Sequence, residues 1–467
     1  MNSSKKTILT YEPLARVSEI SFSEISVARK CYIETYGCQM NFADSRIIMS
    51  VLKNSHYQLT ENIHEADVVL INTCSIRDHA VQRVFKRLKE ITPIKKKNPG
   101  LIIGIVGCIA EHAKAELFEQ EPLIDLIAGP DSYRHLNHLL ELVENGQKII
   151  DTRLVKEETY DNLVPEYKQD EISAFVSIMR GCDNHCAYCV VPSTRGHERS
   201  RSHQSILEET EILSARGIKE ITLLGQNVNS YLHKDENGSR INFAQLLENI
   251  ASTFPKLRIR FATSHPKDIH EEILLTMSKY DHICKHLHLA MQSGSDRILK
   301  LMNRKYTAQS FIDKVKLARQ INPGISITTD IIAGFSTETD EDHQMTLQIM
   351  EKLKFDLAYM FHYSARTGTY AAENLADDVQ EGLKKQRLNE IIKLQQKHSL
   401  ENNKKDIGKI FEVLVEGYSK RSSEMLRGRS SQNKMVIFPN LGQKPGDYVK
   451  VRIENCTSAT LIGKIEN

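Results

Sequence analysis

The chain has 467 residues, 40% of them hydrophobic and 26% charged, which suits about three globular domains. Its longest apolar stretches, such as Leu101–Val106, are strand-sized and too short to span a bilayer, which excludes a membrane-spanning helix. A net charge of +2 excludes a molecule held to nucleic acid by overall basicity and leaves only local basic surfaces for that purpose.

Residues 1–27 are polar and lack the apolar core of a signal peptide, so they read as a loosely ordered extension. With nothing to export it, the chain is expected in the cytoplasm, where its nine cysteines stay reduced and free to bind metal. From 28 to 145, short apolar runs alternate with helical stretches. Strands are expected at 31–36, 68–72 and 101–106, and helices at 43–53, 81–91 and 111–119. This alternation predicts an α/β domain with a parallel sheet. Cys38, Cys74 and Cys108 each follow one of these strands. Loops after adjacent parallel strands converge on one crevice, so the three thiols are expected to meet there. Gly37 and Gly107 allow tight turns beside them. The plainer alternative is three buried structural cysteines. Residues 146–170 are polar and acidic and read as a linker.

The block 171–402 repeats a strand–helix pattern six times, with strands expected at 175–179, 221–224, 259–262, 287–291, 325–332 and 357–361. Six such units fit a partial (β/α)6 barrel, whose chemistry sits at the C-terminal ends of the strands. Cys182, Cys186 and Cys189 follow the first strand in the spacing C-x3-C-x2-C. Three thiolates are one too few for a closed zinc site. On a [4Fe–4S] cube they leave one iron open for a small molecule. The alternative is a zinc knuckle completed by His185. Gly225, Gln226 and Asn227 follow the second strand, and Ser264, Gln292, Ser293 and Asp330 lie near other strand ends. These seven are candidate cofactor contacts, or simply polar turns. A long polar helix at 384–402 leads out.

Residues 403–467 form short strands split by turn residues, which predicts a small five-stranded β-barrel of the OB type. From 401 onward there are 12 Lys/Arg against 8 Asp/Glu. Lys420, Arg427, Arg429 and Lys434 are candidate phosphate contacts, and Arg366 after the sixth strand is another. Among the aromatics interleaved with them, Tyr418 and Tyr448 suit base stacking, whereas Phe411 and Phe438 suit the barrel core. Cys31, Cys284 and Cys456 read as small core residues.

The run Met179-Arg180-Gly181-Cys182-Asp183-Asn184-His185-Cys186-Ala187-Tyr188-Cys189 resembles the radical-SAM superfamily. There the open iron holds S-adenosylmethionine by its amino and carboxylate groups. With the second cysteine trio and the small barrel, the chain from about residue 28 onward resembles the methylthiotransferase family. The matching text includes Tyr36-Gly37-Cys38-Gln39-Met40-Asn41, Asn72-Thr73-Cys74-Ser75-Ile76-Arg77 and Thr194-Arg195-Gly196-His197-Glu198-Arg199-Ser200-Arg201. Gly225-Gln226-Asn227-Val228-Asn229-Ser230-Tyr231 and Gln292-Ser293-Gly294-Ser295 add to it. The Glu198–Arg201 run and Gln226–Ser230 are similar to the branch that modifies prenylated adenosine in tRNA. Leu289-Ala290-Met291 before Gln292 and Gly334–Glu338 depart from the family's usual wording, and Asp183 stands where Asn is frequent.

The resemblance implies two [4Fe–4S] clusters, a radical-SAM core at 171–402 and a TRAM RNA-binding module at 403–467. The cluster at Cys182, Cys186 and Cys189 would reduce S-adenosylmethionine to a 5′-deoxyadenosyl radical. The cluster at Cys38, Cys74 and Cys108, in the family's amino-terminal domain, would deliver sulfur, and a second S-adenosylmethionine the methyl group. Both open irons would then lie over one pocket. The implied partners are a prenylated anticodon stem-loop, which Arg199 and Arg201 would help to bind, and an electron-donor protein; the chain would act as a monomer. Sister branches modify threonylcarbamoyladenosine or a ribosomal protein. From another class, a non-catalytic iron–sulfur RNA sensor would bind RNA without cleaving S-adenosylmethionine.

Overall fold

Seven short strands build one parallel sheet in the amino-terminal part of the chain, in the order β1-β7-β6-β5-β4-β2-β3. They are β1 (Ile8–Thr10), β2 (Arg29–Thr35), β3 (Tyr57–Leu59), β4 (Val68–Asn72), β5 (Ile102–Val106), β6 (Leu126–Ala128) and β7 (Lys148–Asp151). The computed structural model describes residues 8–10, 28–55, 57–74, 78–235 and 237–466, and the chain divides into two compact units. One comprises 1–168, 180–183 and 190–201, and the other the remainder.

In the first unit β4 and β5 are buried along their whole length, which is why both read as unbroken apolar runs. Successive side chains of a strand point to opposite faces. Val68 and Leu70 accordingly join the core under helices Gln39–Lys53 and Leu136–Glu144, whereas Val69 and Ile71 join the core under Asp78–Lys97 and Cys108–Gln120. The three expected strands are present, and four others were not foreseen. Two expectations need correction. Most of the 1–27 extension lies outside the described residues, but Ile8–Thr10 pairs in parallel with β7 as an edge strand. The supposed linker begins inside the sheet with β7 and carries Tyr160 into the core, 2% exposed.

The second unit has six parallel strands, taken up in chain order: Ser173–Ser177, Glu220–Leu224, Arg258–Phe261, His286–His288, Ser326–Ala333 and Leu357–His362. The first three form one ladder and the last three another. Bridges Ile259–Ile283 and Ser264–Leu289 link the two. Helices such as His203–Ala215, Ala308–Ile321 and Asp340–Leu353 fill the crossovers. Among the described residues no ladder joins the sixth strand to the first, so the barrel is partial.

Helix Glu381–Lys404 then leads to a closed five-stranded barrel of Ile410–Ser419, Ser422–Ser430, Met435–Pro439, Tyr448–Cys456 and Leu461–Ile465. Val413, Leu426, Val436, Phe438, Val451 and Leu461 fill its core. The small barrel docks on the starts of the parallel strands. Arg258 and Arg260, both bonded to Glu220, donate to the carbonyls of Arg429 and Ser430 at 3.0 and 2.6 Å. The Lys285 N–H donates to Ser431 Oγ at 2.9 Å, and the Tyr448 hydroxyl to the Lys219 carbonyl at 3.0 Å. The loops that carry Gln226, Ser264 and Gln292 follow the opposite ends of the strands. Among the described residues no helix is long and apolar enough to cross a membrane.

Candidate functional site

Cys38 immediately precedes helix Gln39–Lys53, Cys108 opens helix Cys108–Gln120, and Cys74 lies two residues past β4. Because β4 pairs with both β2 and β5, three neighbouring strand ends deliver three thiols to one edge of the sheet. A Cβ on Gly37 would lie 2.7 Å from Cys74 Cβ, so the β2 turn runs against that cysteine. Gly107 turns at φ +93, where a Cβ would lie 2.4 Å from Asn72 Oδ1, and only glycine passes there. Asn41 and Asn72, both fully buried, lock the turns together. Asn41 Nδ2 donates to Asn72 Oδ1 at 3.0 Å, and Asn72 Nδ2 returns a bond to the Asn41 carbonyl at 2.8 Å. The Cys38 thiol donates to Asn41 Oδ1 at 3.2 Å. A hydrogen bond from Cys74, aided by the charge of Arg195, outweighs burial and draws the Cys38 thiol down to about 6. Burial raises the Cys108 thiol against the pull of Arg195.

Behind the thiols lies a set of interior charges. Asp44, fully buried, accepts from Arg180 at 2.9 Å and from Arg195 at 2.7 Å. Arg195 Nε donates to Cys108 Sγ at 3.1 Å. Asp131, 2% exposed, accepts from Arg199 at 2.7 Å, and Arg180 lies over the Tyr160 ring. Three arginines against two aspartates leave one positive charge in excess. Three thiolates on an iron–sulfur cube carry a net negative charge, so this donor set and its surroundings fit such a group. Among the described residues no three His, Cys, Asp or Glu side chains close on a single ion; ligands of a cube of separate irons stand wider apart than those of one ion.

Within the second unit the Cys189 N–H donates to the Cys186 carbonyl at 3.0 Å and the Ala187 N–H to the Met302 carbonyl at 2.9 Å. These bonds fix the carboxyl-terminal half of the 182–189 loop. Arg304, 8% exposed, donates to Cys186 Sγ at 3.3 Å and to the Ala290 carbonyl at 2.8 Å. Burial, followed by the charge of Arg304, pulls His265 down to about 2, so this imidazole is neutral at physiological pH. In the first unit Gly181, at φ +77, packs so closely under the His197 carbonyl that a Cβ would lie 1.9 Å from that oxygen.

The seven candidate cofactor contacts fall into two groups. Buried atoms of Gln226 (Oε1), Ser264 (Oγ) and Gln292 (Oε1) have no partner among the described residues. All three follow parallel strands, and unpaired buried acceptors or hydroxyls suit a small polar ligand such as S-adenosylmethionine. The other four are already engaged by the protein. Gly225 packs on Met179, and Asn227 bonds Asp268 and the His265 N–H at 2.6 and 3.0 Å. Ser293 accepts from the Ser295 N–H at 3.2 Å, and Asp330 meets His288 Nε2 at 3.0 Å.

The candidate RNA contacts separate more sharply. Arg199 and Arg201 are buried and ion-paired with Asp131 and Asp161, so the expectation of surface RNA contacts is corrected for both. Lys434 is corrected likewise: its ammonium lies between Asp406 at 2.6 Å and Asp356 at 3.2 Å. Arg429 pairs with Glu416 at 3.0 Å. Lys420 is exposed in a turn, and Arg427 and Arg366 are half-exposed. Tyr418 is 60% exposed, as a stacking residue needs, whereas Tyr448 is held under Arg258. A cleft of about 560 Å³ went unnoticed in the sequence; Arg319, Lys352, Lys354, Lys405 and Lys409 line it together with Lys434 and its partners Asp356 and Asp406, which leaves it net basic. The lysines at 352, 354, 405 and 409 were its visible trace.

Comparison with known proteins places these features. Residues 30–129 match the uncharacterized protein family UPF0004, 176–350 the radical SAM superfamily and 404–465 the TRAM domain. The chain is 50% identical over 460 residues to a tRNA-2-methylthio-N(6)-dimethylallyladenosine synthase of Amoebophilus asiaticus, covering 96% of this chain and 95% of that protein. It is 50% identical over 441 residues to the synthase of that name from Porphyromonas gingivalis, covering 94% and 95%. Among solved structures it is similar to the radical S-adenosylmethionine methyltransferase TsrM of Kitasatospora setae. That similarity has a TM-score of 0.57 at 14% identity, over 74% of this chain and 77% of the other. The cobalamin-dependent radical enzyme OxsB gives 0.52 at 15%, over 79% and 56%. At these identities the two structures establish the fold alone.

Proposed function

Because the chain belongs to the tRNA-2-methylthio-N(6)-dimethylallyladenosine synthase family of radical SAM enzymes, we propose that it methylthiolates C2 of N(6)-isopentenyl(dimethylallyl)adenosine at position 37 of tRNA. The reaction would use two S-adenosylmethionine molecules and two [4Fe–4S] clusters, one for radical generation and one for sulfur delivery. The observation that carries this reading is the meeting of Cys38, Cys74 and Cys108 at three adjacent strand ends beside the buried Arg195. A radical SAM enzyme that only cleaves its cofactor needs no such second trio.

When bound, the clusters and S-adenosylmethionine supply one-electron chemistry strong enough for an inert aromatic C–H bond, together with the sulfur and the methyl group. The chain's own residues bind and orient. The thiols of the 182–189 loop hold one cluster, with Arg304 bonded to Cys186 Sγ. Gln226, Ser264 and Gln292 offer S-adenosylmethionine their unpaired polar atoms. Lys420, Arg427 and the basic cleft grip RNA phosphates. On this reading 28–145 delivers sulfur, 171–402 cleaves S-adenosylmethionine and 403–467 holds the RNA.

Anaerobic reconstitution tests the reading. About eight irons per chain are expected, falling to about four when Cys38, Cys74 and Cys108 are replaced by alanine. An iron content unchanged by that replacement would overturn it.

A further inference from the structure

Arg195 is 3% exposed. One Nη donates to Asp44 at 2.7 Å, Nε donates to Cys108 Sγ at 3.1 Å, and Nη1, buried, has no acceptor among the described residues. A buried N–H without an acceptor is unfavourable, so its presence beside thiols points to an acceptor that the described residues do not supply. The fork is held rigidly from behind. Asp44 is clamped from its other side by Arg180, which itself donates to the Pro130 carbonyl at 2.9 Å.

We propose that Arg195 is a positioning residue of the amino-terminal metal centre, which holds the Cys108 thiolate through Nε and gives its free N–H to a sulfur of the group bound there. This inference rests on the two-cluster reading and goes beyond it, because it assigns the centre a donor from outside the three cysteines. Hydrogen bonds to cluster sulfurs and a nearby positive charge stabilise the reduced, more negative state, and so raise the reduction potential. Arg195 therefore sets how readily the sulfur-delivering centre accepts an electron. Arg199 is an internal control. It is also buried, at 9% exposed, and its Nε likewise lacks an acceptor among the described residues, yet it bonds to Asp131, the Val155 carbonyl and the Arg195 carbonyl, with no sulfur among them.

The test uses the full chain with Cys182, Cys186 and Cys189 replaced by alanine, so that only the amino-terminal centre remains. Its midpoint potential is read by anaerobic redox titration with electron paramagnetic resonance. Arg195→Gln is expected to make reduction at least tenfold less favourable, about 59 mV for one electron. Arg195→Lys, which keeps the charge and loses the fork, should fall between the two. Arg199→Gln should lower the melting temperature and leave the potential in place. An unchanged potential in Arg195→Gln, or an equal shift in Arg199→Gln, overturns the proposal. If Arg195→Gln does not fold, an unshifted potential in Arg195→Lys overturns it. A triple-alanine chain that binds no iron overturns the two-cluster reading and this inference together, whereas an iron-loaded chain with unmoved potential overturns only the inference.

Discussion

Replacing Asp44 by asparagine keeps the shape of the side chain and removes its charge. Two guanidinium groups then lose their shared carboxylate in a place without water, since Asp44 is fully buried and Arg180 and Arg195 are 1% and 3% exposed. Breaking a buried ion pair from one side costs about 3–5 kcal/mol. At about 2–4 °C per kcal/mol for a unit of this size, calorimetry should find a melting temperature lower by roughly 6–20 °C. Adding Arg195→Gln removes one stranded charge, so the double variant should cost less than the sum of the singles by ~1–3 kcal/mol. Burial raises the Asp44 carboxyl, but Arg180 and Arg195 outweigh it and hold it below its ordinary value. Its stabilising contribution is therefore complete above the unfolded carboxyl's pKa and lost as pH falls through the lower folded value. A cost under ~1 kcal/mol in Asp44→Asn, the range of exposed pairs, would refute the reasoning.

Three further outcomes follow from the geometry. Gly181→Ala would force a Cβ to within 1.9 Å of the His197 carbonyl and should cost more than ~3 kcal/mol and lower iron loading; Gly217→Ala, also at positive φ but in open space, should cost about 1 kcal/mol. Asp342 gains more from the hydrogen bonds of Arg297, Ser295 and Thr339 than burial takes away, and sits at about 2. Acid titration by circular dichroism should show stability lost as pH falls from about 4 toward 2, a dependence that Asp342→Asn diminishes. Lys405→Glu with Lys409→Glu should weaken stem-loop RNA binding and flatten the log–log salt dependence by roughly 0.7–0.9 per lost phosphate contact, measured by fluorescence anisotropy.

Much of this organisation was legible because it depends on short-range pattern. The unbroken apolar runs of β4 and β5, the six strand–helix repeats and the five turn-punctuated strands at the end each announce themselves within a dozen residues. The placement of Cys38, Cys74 and Cys108 after strands was visible for the same reason. What escaped notice depends on distant partners. β3 and β6 have three residues each and β7 has four, too few to show a period. Tyr160 sits in an acidic, turn-rich segment and is buried by contacts with Tyr133 and Arg180. Arg199 looks like a surface charge until Asp131, 68 residues away, is placed beside it. Arg195 meets Cys108 across 87 residues, a distance over which local sequence carries no signal.

The central claim is that a second thiol-held centre delivers the sulfur. The most direct test is anaerobic turnover of wild type and Cys38→Ala with a prenylated anticodon stem-loop, reading 2-methylthio-adenosine and 5′-deoxyadenosine by mass spectrometry. Both products are expected from wild type, and 5′-deoxyadenosine without the methylthio nucleoside from Cys38→Ala. Methylthio product persisting in Cys38→Ala at the wild-type level would contradict it.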